Sequence, residues 1–285
     1  MKVIEKAADM RAFSRAARAA GEVVAFVPTM GFLHEGHASL LDAGRERGGK
    51  LVLSIFVNPT QFDRKDDLDK YPRDLQADLK IAEARGVDAV FLPQAEEMYP
   101  EGYETFVSVG PLAEPLCGAK RPGHFRGVTT VVSKLFNIVE PDCAFFGAKD
   151  YQQLAVIRRM TLDLNLPVEI VGMPIIREED GLAMSSRNAR LSADQRETSL
   201  ALYRSIGAVR DAFAGGERSA RALESVAKET LARAGELVID YAEVRDAASL
   251  QPVETITDKA LYAVAAFVGE VRLIDNTELD PAMAA

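Results

Sequence analysis

Cysteine is scarce in this 285-residue chain: Cys117 and Cys143 are the only two, and no CxxC spacing occurs. That excludes a disulfide framework and a cysteine zinc site, and it fits a reducing cytosol. Histidine is almost as scarce, with His34, His37 and His124 making up the full set of three. Positive charge is in deficit, since 34 Lys and Arg stand against 43 Asp and Glu for a formal net charge of -9. Binding nucleic acid or an anionic membrane needs a basic footprint, so neither partner is expected. A local cluster of Lys and Arg can still hold a small anion. Long apolar runs are missing as well. The longest are strand-length and interrupted, which excludes a membrane-spanning helix. The opening stretch, MKVIEKAADMRAF, is charged and has no apolar core, so no signal peptide is expected, and the expected location is cytoplasmic.

What is present is an ordinary globular composition, 48% hydrophobic and 27% charged, with length enough for about two domains. Short β-rich runs alternate with helical patterns through about residue 175. The runs are VVAFVP (23–28), LVLSIFVN (51–58), DAVFLP (88–93), DCAFFG (142–147) and VEIVGMPII (168–176). Helical stripes lie between them, such as Leu75, Leu79 and Ala82, then Val128, Val131, Val132, Leu135 and Val139, then Leu154, Ile157, Thr161 and Leu164. Near-continuous apolar strands alternating with amphipathic helices predict a parallel sheet covered on both faces. FVSVG (106–110) reads as a peripheral extra strand. Beyond residue 175 the pattern changes to two long helical segments parted by Gly215 and Gly216. Two strand candidates follow, LVIDYAEV (237–244) and LYAVAAFVGEVRLI (261–274). The expectation is an α/β fold, a Rossmann-like parallel-sheet domain over 1–175 and a smaller α+β domain over 176–285.

Four segments carry candidate chemistry. PTMGFLHEGH (28–37) follows the first predicted strand and runs into a helix. Ligands in open α/β sheets gather at the carboxyl ends of strands and at helix N-termini. His34 and His37, three apart at a helix start, can project on one side, and Gly36 lets a ligand approach the backbone. Two surface histidines near a turn are the bland reading, and zinc is the other chemical one. HEGH is not HExxH, however, and no third ligand follows. The second segment is Met184, Ser185, Ser186, Arg187 and Asn188, whose hydroxyls and guanidinium suit phosphate oxygens, although a polar linker has the same composition. The third, FGAKDYQQ (146–153), leaves a strand and enters a helix. Lys149 is a mobile point charge suited to phosphate, Asp150 suits a helix cap, and Gln153 lies one turn on. In the fourth, NPTQF (58–62), Gln61 offers the donors and acceptor a hydroxy acid needs, as would many loop residues.

H-x-G-H after a first strand, with an MSSR loop later, resembles the nucleotidyltransferase superfamily. The blocks PTMG-x-LHEGH, SIFVNPTQF, YPR, RPGHFRGVTTVVSKLFNIVEPD, FG-x-KDYQQL, RE-x-DGLA-x-SSRN and VRLIDN, in this order, resemble the pantothenate synthetase family across nearly the whole chain. Phe32 departs from that pattern, where alanine is usual, and the stretch from Lys65 to Asp67 is variable. The resemblance implies ATP-dependent condensation of pantoate with β-alanine through a pantoyl-adenylate, with release of AMP and pyrophosphate. It implies that Met30, Gly31, Phe32, Leu33, His34, Glu35, Gly36 and His37 bind ATP, with His37 as proton donor or phosphate stabiliser. Gly147, Ala148, Lys149 and Asp150 would also bind ATP, as would Ile176, Met184, Ser185, Ser186 and Arg187 from the smaller domain. His34, His37, Lys149 and Arg187 would form the catalytic set. Gln61 and Gln153 would contact pantoate, and 121–126 would border the cleft. It further implies Mg2+ with the ATP, with no protein ligand assignable, and a homodimer. His124 reads equally well as structural or functional. The rivals are a plain nucleotidylyltransferase, which would not need the FVNPTQF and KDYQQ blocks, and a non-catalytic ATP sensor or RNA-binding relative. Retention of both histidines, Lys149 and Arg187 argues against the last.

Overall fold

The computed structural model describes residues 1–63 and 65–283 and divides into two compact units. Unit 1 comprises Met1–Ala113, Arg121–Ala148 and Gln153–Pro174, and unit 2 comprises Glu114–Lys120, Lys149–Gln152 and Ile175–Ala285.

Unit 1 is a six-stranded Rossmann-like sheet of β1 (Lys2–Ile4), β2 (Val24–Thr29), β3 (Lys50–Ile55), β4 (Ala89–Phe91), β5 (Cys143–Gly147) and β6 (Glu169–Met173), in the spatial order β1-β4-β3-β2-β5-β6. All neighbouring strands pair in parallel. Its longer helices are α1 (Ala7–Ala19), α2 (Glu35–Glu46), α3 (Leu75–Ala84), α4 (His124–Val139) and, from Gln153 on, α5 (Tyr151–Asp163). The central strands are mainly apolar because both their faces are buried, and alternate residues serve opposite cores. Val24, Phe26, Val52, Ala89, Phe91, Ala144 and Phe146 pack with Met10 of α1, with Val128, Val132 and Leu135 of α4, and with Ile157 of α5. Ala25, Val27, Leu51, Leu53, Val90, Cys143 and Phe145 pack with Leu40 and Leu41 of α2 and Ala82 of α3. Strand order runs outward from β2 in one direction and from β5 in the other, so the switch point lies between these two strands. Ligand crevices of open parallel sheets form at such points.

Unit 2 holds α6 (Ala193–Ala214) and α7 (Ala220–Ala232) against an antiparallel sheet of β7 (Val238–Asp246), β8 (Ala260–Val268) and β9 (Val271–Leu279), in that spatial order. α6 starts where Ser192 and Gln195 form a reciprocal capping box. Leu202, Ile206 and Val209 of α6 and Leu223 and Leu231 of α7 share one core with Tyr262, Val264 and Leu273 of the sheet.

The structure corrects two expectations and adds one strand. The run 261–274 is two strands, not one, because Gly269 takes φ 58 and closes a two-residue turn that brings Val268 opposite Val271. FVSVG (106–110) is not a strand. The Val107 N–H donates to Thr130 Oγ1 and its carbonyl accepts from Thr129 Oγ1, so α4 side chains take the groups a ladder would use. The chain also begins with a strand, β1, at the sheet edge, too short to leave a periodic signal. Among the described residues no helix is long and apolar enough to cross a membrane.

Candidate functional site

In unit 1 the segment after β2 is built around the start of α2. His34 is the N-cap, and its Nδ1 accepts from Gly36 N at 3.1 Å. His37 Nδ1 in turn accepts from His34 N at 3.4 Å, so two imidazoles do the work of a capping box. A neutral ring whose Nδ1 accepts carries its proton on Nε2, so each ring is oriented with Nε2–H as its donor. The ring centroids lie 4.1 Å apart, inclined at 35°. α2 has 12 residues, and the partial positive charge of its N-terminus coincides with this pair. Glu35, one step on, is exposed and pairs with Arg85 at 3.0 Å.

The turn between β2 and α2 is left-handed at two successive residues, Gly31 at φ 82 and Phe32 at φ 52. A Cβ on Gly31 would stand 2.9 Å from Asp78 Oδ2 and 3.0 Å from Ile55 Cγ2, so glycine is required by both space and φ. Phe32 is strained there, and Asp78 of α3 offsets the strain. Its carboxylate accepts from Phe32 N at 2.9 Å and from Leu33 N at 2.6 Å. Burial pushes the Asp78 carboxyl above the usual aspartate range, against the two N–H donors, which pull it down. The Leu33 side chain itself belongs to the core.

The turn after β3 is the second part. Gln61 is buried; its Oε1 accepts from Asn58 Nδ2 at 3.0 Å and its Nε2 donates to Met30 Sδ at 3.1 Å. Thus Gln61 and Met30, expected at one site, do meet. Asn58 is itself held, donating to Gly127 O at 3.2 Å and accepting from Tyr99 Oη at 2.7 Å. Burial pushes the Tyr99 phenol up, which keeps it a donor at neutral pH. Gly127 lets α4 approach this turn, since a Cβ there would lie 2.4 Å from Thr60 O. His124 and Arg121 grip the Gln61 carbonyl, with His124 Nδ1 at 2.8 Å and Arg121 Nη2 at 3.2 Å. The His124 Nε2 faces Arg121 Nη1 at 3.2 Å, so the ring donates from Nδ1 and accepts at Nε2. This favours the structural reading of His124. Gly147 and Ala148 close β5, and Gln153 is half-buried on α5.

Unit 2 holds the other expected residues. Lys149 is half-buried and Asp150 exposed in the short turn Ala148–Asp150, and the Lys149 carbonyl accepts from Asn276 Nδ2 at 2.8 Å. Gln152 is buried, receiving Cys117 N at 3.0 Å and donating to Pro115 O at 2.7 Å. Ile176 opens a small hairpin, where its carbonyl accepts from Met184 N at 3.0 Å and Glu178 N donates to Leu182 O at 2.8 Å. Ser185 follows, capping the turn Ser186–Arg190 through Arg187 N at 3.2 Å. Asn188 ties that turn to the hairpin through Glu178 Oε1 at 2.6 Å and Ala183 O at 3.1 Å. Ser186 is buried and Arg187 half-buried.

Sequence reasoning did not single out Asp78, Asn58, Tyr99, Asp275 or Asn276. Asn58 left a usable trace, an Asn-Pro step after a strand. Asp78 left none, since one acidic residue on an amphipathic helix reads as solvated.

The chain matches the model of the family described as Pantoate-beta-alanine ligase over residues 2–278. The pantothenate synthetase of Pelobacter propionicus is 59% identical over 279 residues, covering 98% of either chain. That of Geobacter sulfurreducens is 57% identical, over 98% of this chain and 99% of its own. Among solved structures, pantothenate synthetase from Thermus thermophilus aligns with a TM-score of 0.93 at 45% identity, covering 99% of this chain and 100% of that one. Pantoate-beta-alanine ligase from Francisella tularensis, complexed with Beta-gamma ATP and β-alanine, aligns with a TM-score of 0.81 at 30% identity over 97% of each chain.

Proposed function

Because the chain belongs to the pantoate–β-alanine ligase family, whose enzymes join pantoate to β-alanine, we propose that it drives this reaction with ATP through a pantoyl-adenylate. In the first step a pantoate carboxylate oxygen attacks the α-phosphorus of ATP. The new O–P bond forms as the bond to the β-phosphate bridging oxygen breaks, and pyrophosphate leaves. In the second step the β-alanine amine attacks the acyl carbon, the C–O bond to phosphate breaks, and AMP departs with its electrons while the amine loses a proton.

The observation that carries this reading is the pair of imidazoles fixed through Nδ1 at the N-terminus of α2, after a central parallel strand. Two Nε2–H donors beside the positive end of α2 make an anion site that needs no reorganisation as charge develops on phosphorus. Lys149 and Arg187 add positive charge for the departing pyrophosphate, with Ser185 and Ser186 as hydroxyl donors. Gln61, with its amide oriented by Asn58 and Met30, orients pantoate, and Gln153 supplies a second amide. None of these is an enzyme nucleophile, and phosphoryl transfer requires none, since positioning and charge stabilisation are its main needs.

Among the described residues no group of three or more His, Cys, Asp or Glu could hold a metal ion. Mg2+ is proposed to enter with the ATP, held partly by its phosphates and partly by a few carboxylates. The complex of ATP and β-alanine described for the Francisella relative supports the substrate assignment. The enzyme is proposed to act in the cytoplasm as a homodimer, as the family resemblance implies.

The test first omits β-alanine and then restores it. The enzyme should exchange labelled pyrophosphate into ATP without β-alanine. Oxygen-18 in the pantoate carboxylate should appear in AMP after full turnover. Label found in pyrophosphate or inorganic phosphate would mean attack at another phosphorus and would exclude the acyl-adenylate.

A further inference from the structure

The closing block VRLIDN meets the described site through Asn276, and two of its residues are polar and buried side by side on β9. Asp275 is 4% exposed and Asn276 6%. Successive strand residues point to opposite faces, so the two serve different surroundings. Asp275 shares the register of Val271, Leu273 and Leu279, which are core residues. A carboxylate in that row is costly unless fully partnered. Its partner is Arg177, which donates from Nη1 to Oδ2 at 2.6 Å and from Nη2 to Oδ1 at 3.0 Å. The guanidinium also lies over the Tyr203 ring, 4.7 Å from its centroid, and donates to Gly181 O at 3.1 Å. Arg177 thus ties its own arm and the turn of the hairpin 176–184 to β9, and Ser185, Ser186 and Arg187 follow directly on that hairpin. Asn276, on the other side of the strand, donates to the Lys149 carbonyl at 2.8 Å.

We propose that Asp275 and Asn276 are positioning residues for the phosphate-binding groups of unit 2. Asp275 fixes the loop that bears Arg187, Asn276 fixes the turn that bears Lys149, and their adjacency on one strand sets both cations to one template. Neither touches substrate, and both act through the backbone of the segment they hold. β9 pairs with β8 at every residue from Val271 to Leu279, which makes it a stiff mount, and a misplacement of an ångström at a charge-stabilising group is enough to slow turnover. The proposal rests on the assignment of Lys149 and Arg187 to the triphosphate.

The test is a set of double-mutant cycles on the full-length enzyme. Asn276→Ala should lower kcat about tenfold, the scale of one neutral hydrogen bond, and leave KM for pantoate within about twofold. In a Lys149→Ala background the same change should cost nothing further, because the group it positions is gone. Asp275→Asn should behave the same way against Arg187→Ala. Should that variant not fold, Arg177→Lys takes its place, since it keeps the charge and loses the bidentate fork. Losses that multiply in both cycles, with kcat falling in step with thermal stability, would show a purely structural role and overturn the proposal. Wild-type kcat in Asn276→Ala and Arg177→Lys would overturn it as well. Near-native turnover in Lys149→Ala and Arg187→Ala themselves would instead remove the phosphate assignment, and this inference with it.

Discussion

The two units hold their candidate groups in different ways. In unit 1 the imidazoles of His34 and His37 are fixed by backbone atoms no more than three residues away. In unit 2 the segments bearing Lys149 and Arg187 are fixed by β9, through bonds that span 127 and 98 residues of sequence. A local clasp forms as soon as its helix does. A long-range one exists only when the sheet is complete, so its geometry depends on the stability of the whole unit. Unit 1 uses long-range ties as well, at the strained Phe32, where Asp78 reaches in from α3, and at Gln61, whose carbonyl is held by His124 and Arg121.

The sharpest test of unit 2 removes the charges themselves. Lys149→Ala or Arg187→Ala should lower kcat by about 10²–10³-fold, the scale for losing one transition-state donor. Steady-state kinetics would check this, and native-like turnover in both variants would break the comparison at its base.

For unit 1 the corresponding change is His37→Ala, expected to lower kcat about 10²-fold with little loss of ATP affinity, because the ring matters most as charge develops on phosphorus. Calorimetric titration with ATP beside single-turnover rates would separate the two effects. A collapse of affinity with kcat intact would make His37 a binding residue only. Added zinc should rescue neither this variant nor His34→Ala.

Gly181→Ala addresses the hairpin of unit 2. Gly181 takes φ 95, and a Cβ there would lie 2.2 Å from the Tyr203 ring. Destabilisation of about 1–3 kcal/mol is expected from overpacking. Denaturant unfolding would measure it, and Tyr203→Ala in the same chain should recover part. If Gly181→Ala alone left stability unchanged, the Tyr203 ring would not be packed against this turn.

The smallest effect is a pH dependence in unit 1. Burial raises the Asp78 carboxyl above its unfolded value, so the folded protein holds that proton more firmly. The resulting stability is fully present below the usual aspartate range, near about 3.9, and is lost as pH rises through the raised value. Stability relative to Asp78→Asn should therefore increase as pH falls from about 7 toward 4. Urea unfolding across that range would show it, and a difference that shrank on acidification would contradict the assignment.

Much of the molecule is legible in its sequence. The five strand runs of unit 1 stand out because burial of both faces keeps most of a central parallel strand apolar, as in the Leu51–Leu53 stretch of β3. The stripe of α4 was visible because its buried face repeats at helical spacing. His34, Gly36 and His37 were readable as a set because a cap is made within one turn. β1 was not readable, since three residues carry no period, and 106–110 misled because Val107 has strand composition but bonds threonine hydroxyls.

Residue order alone specifies the alternation of strands and helices, the family blocks in their succession, and the capped start of α2. All of these depend on residue types within a few positions of one another, where spacing records geometry. Folding was needed to reveal that Asp78 holds the turn before α2, that Asn58 and Tyr99 orient Gln61, and that Asp275 and Asn276 anchor the segments bearing Arg187 and Lys149. Each of the three is a buried polar arrangement whose partner lies elsewhere in the chain. Burial makes such a group need a partner, but no spacing in the sequence marks which one it finds.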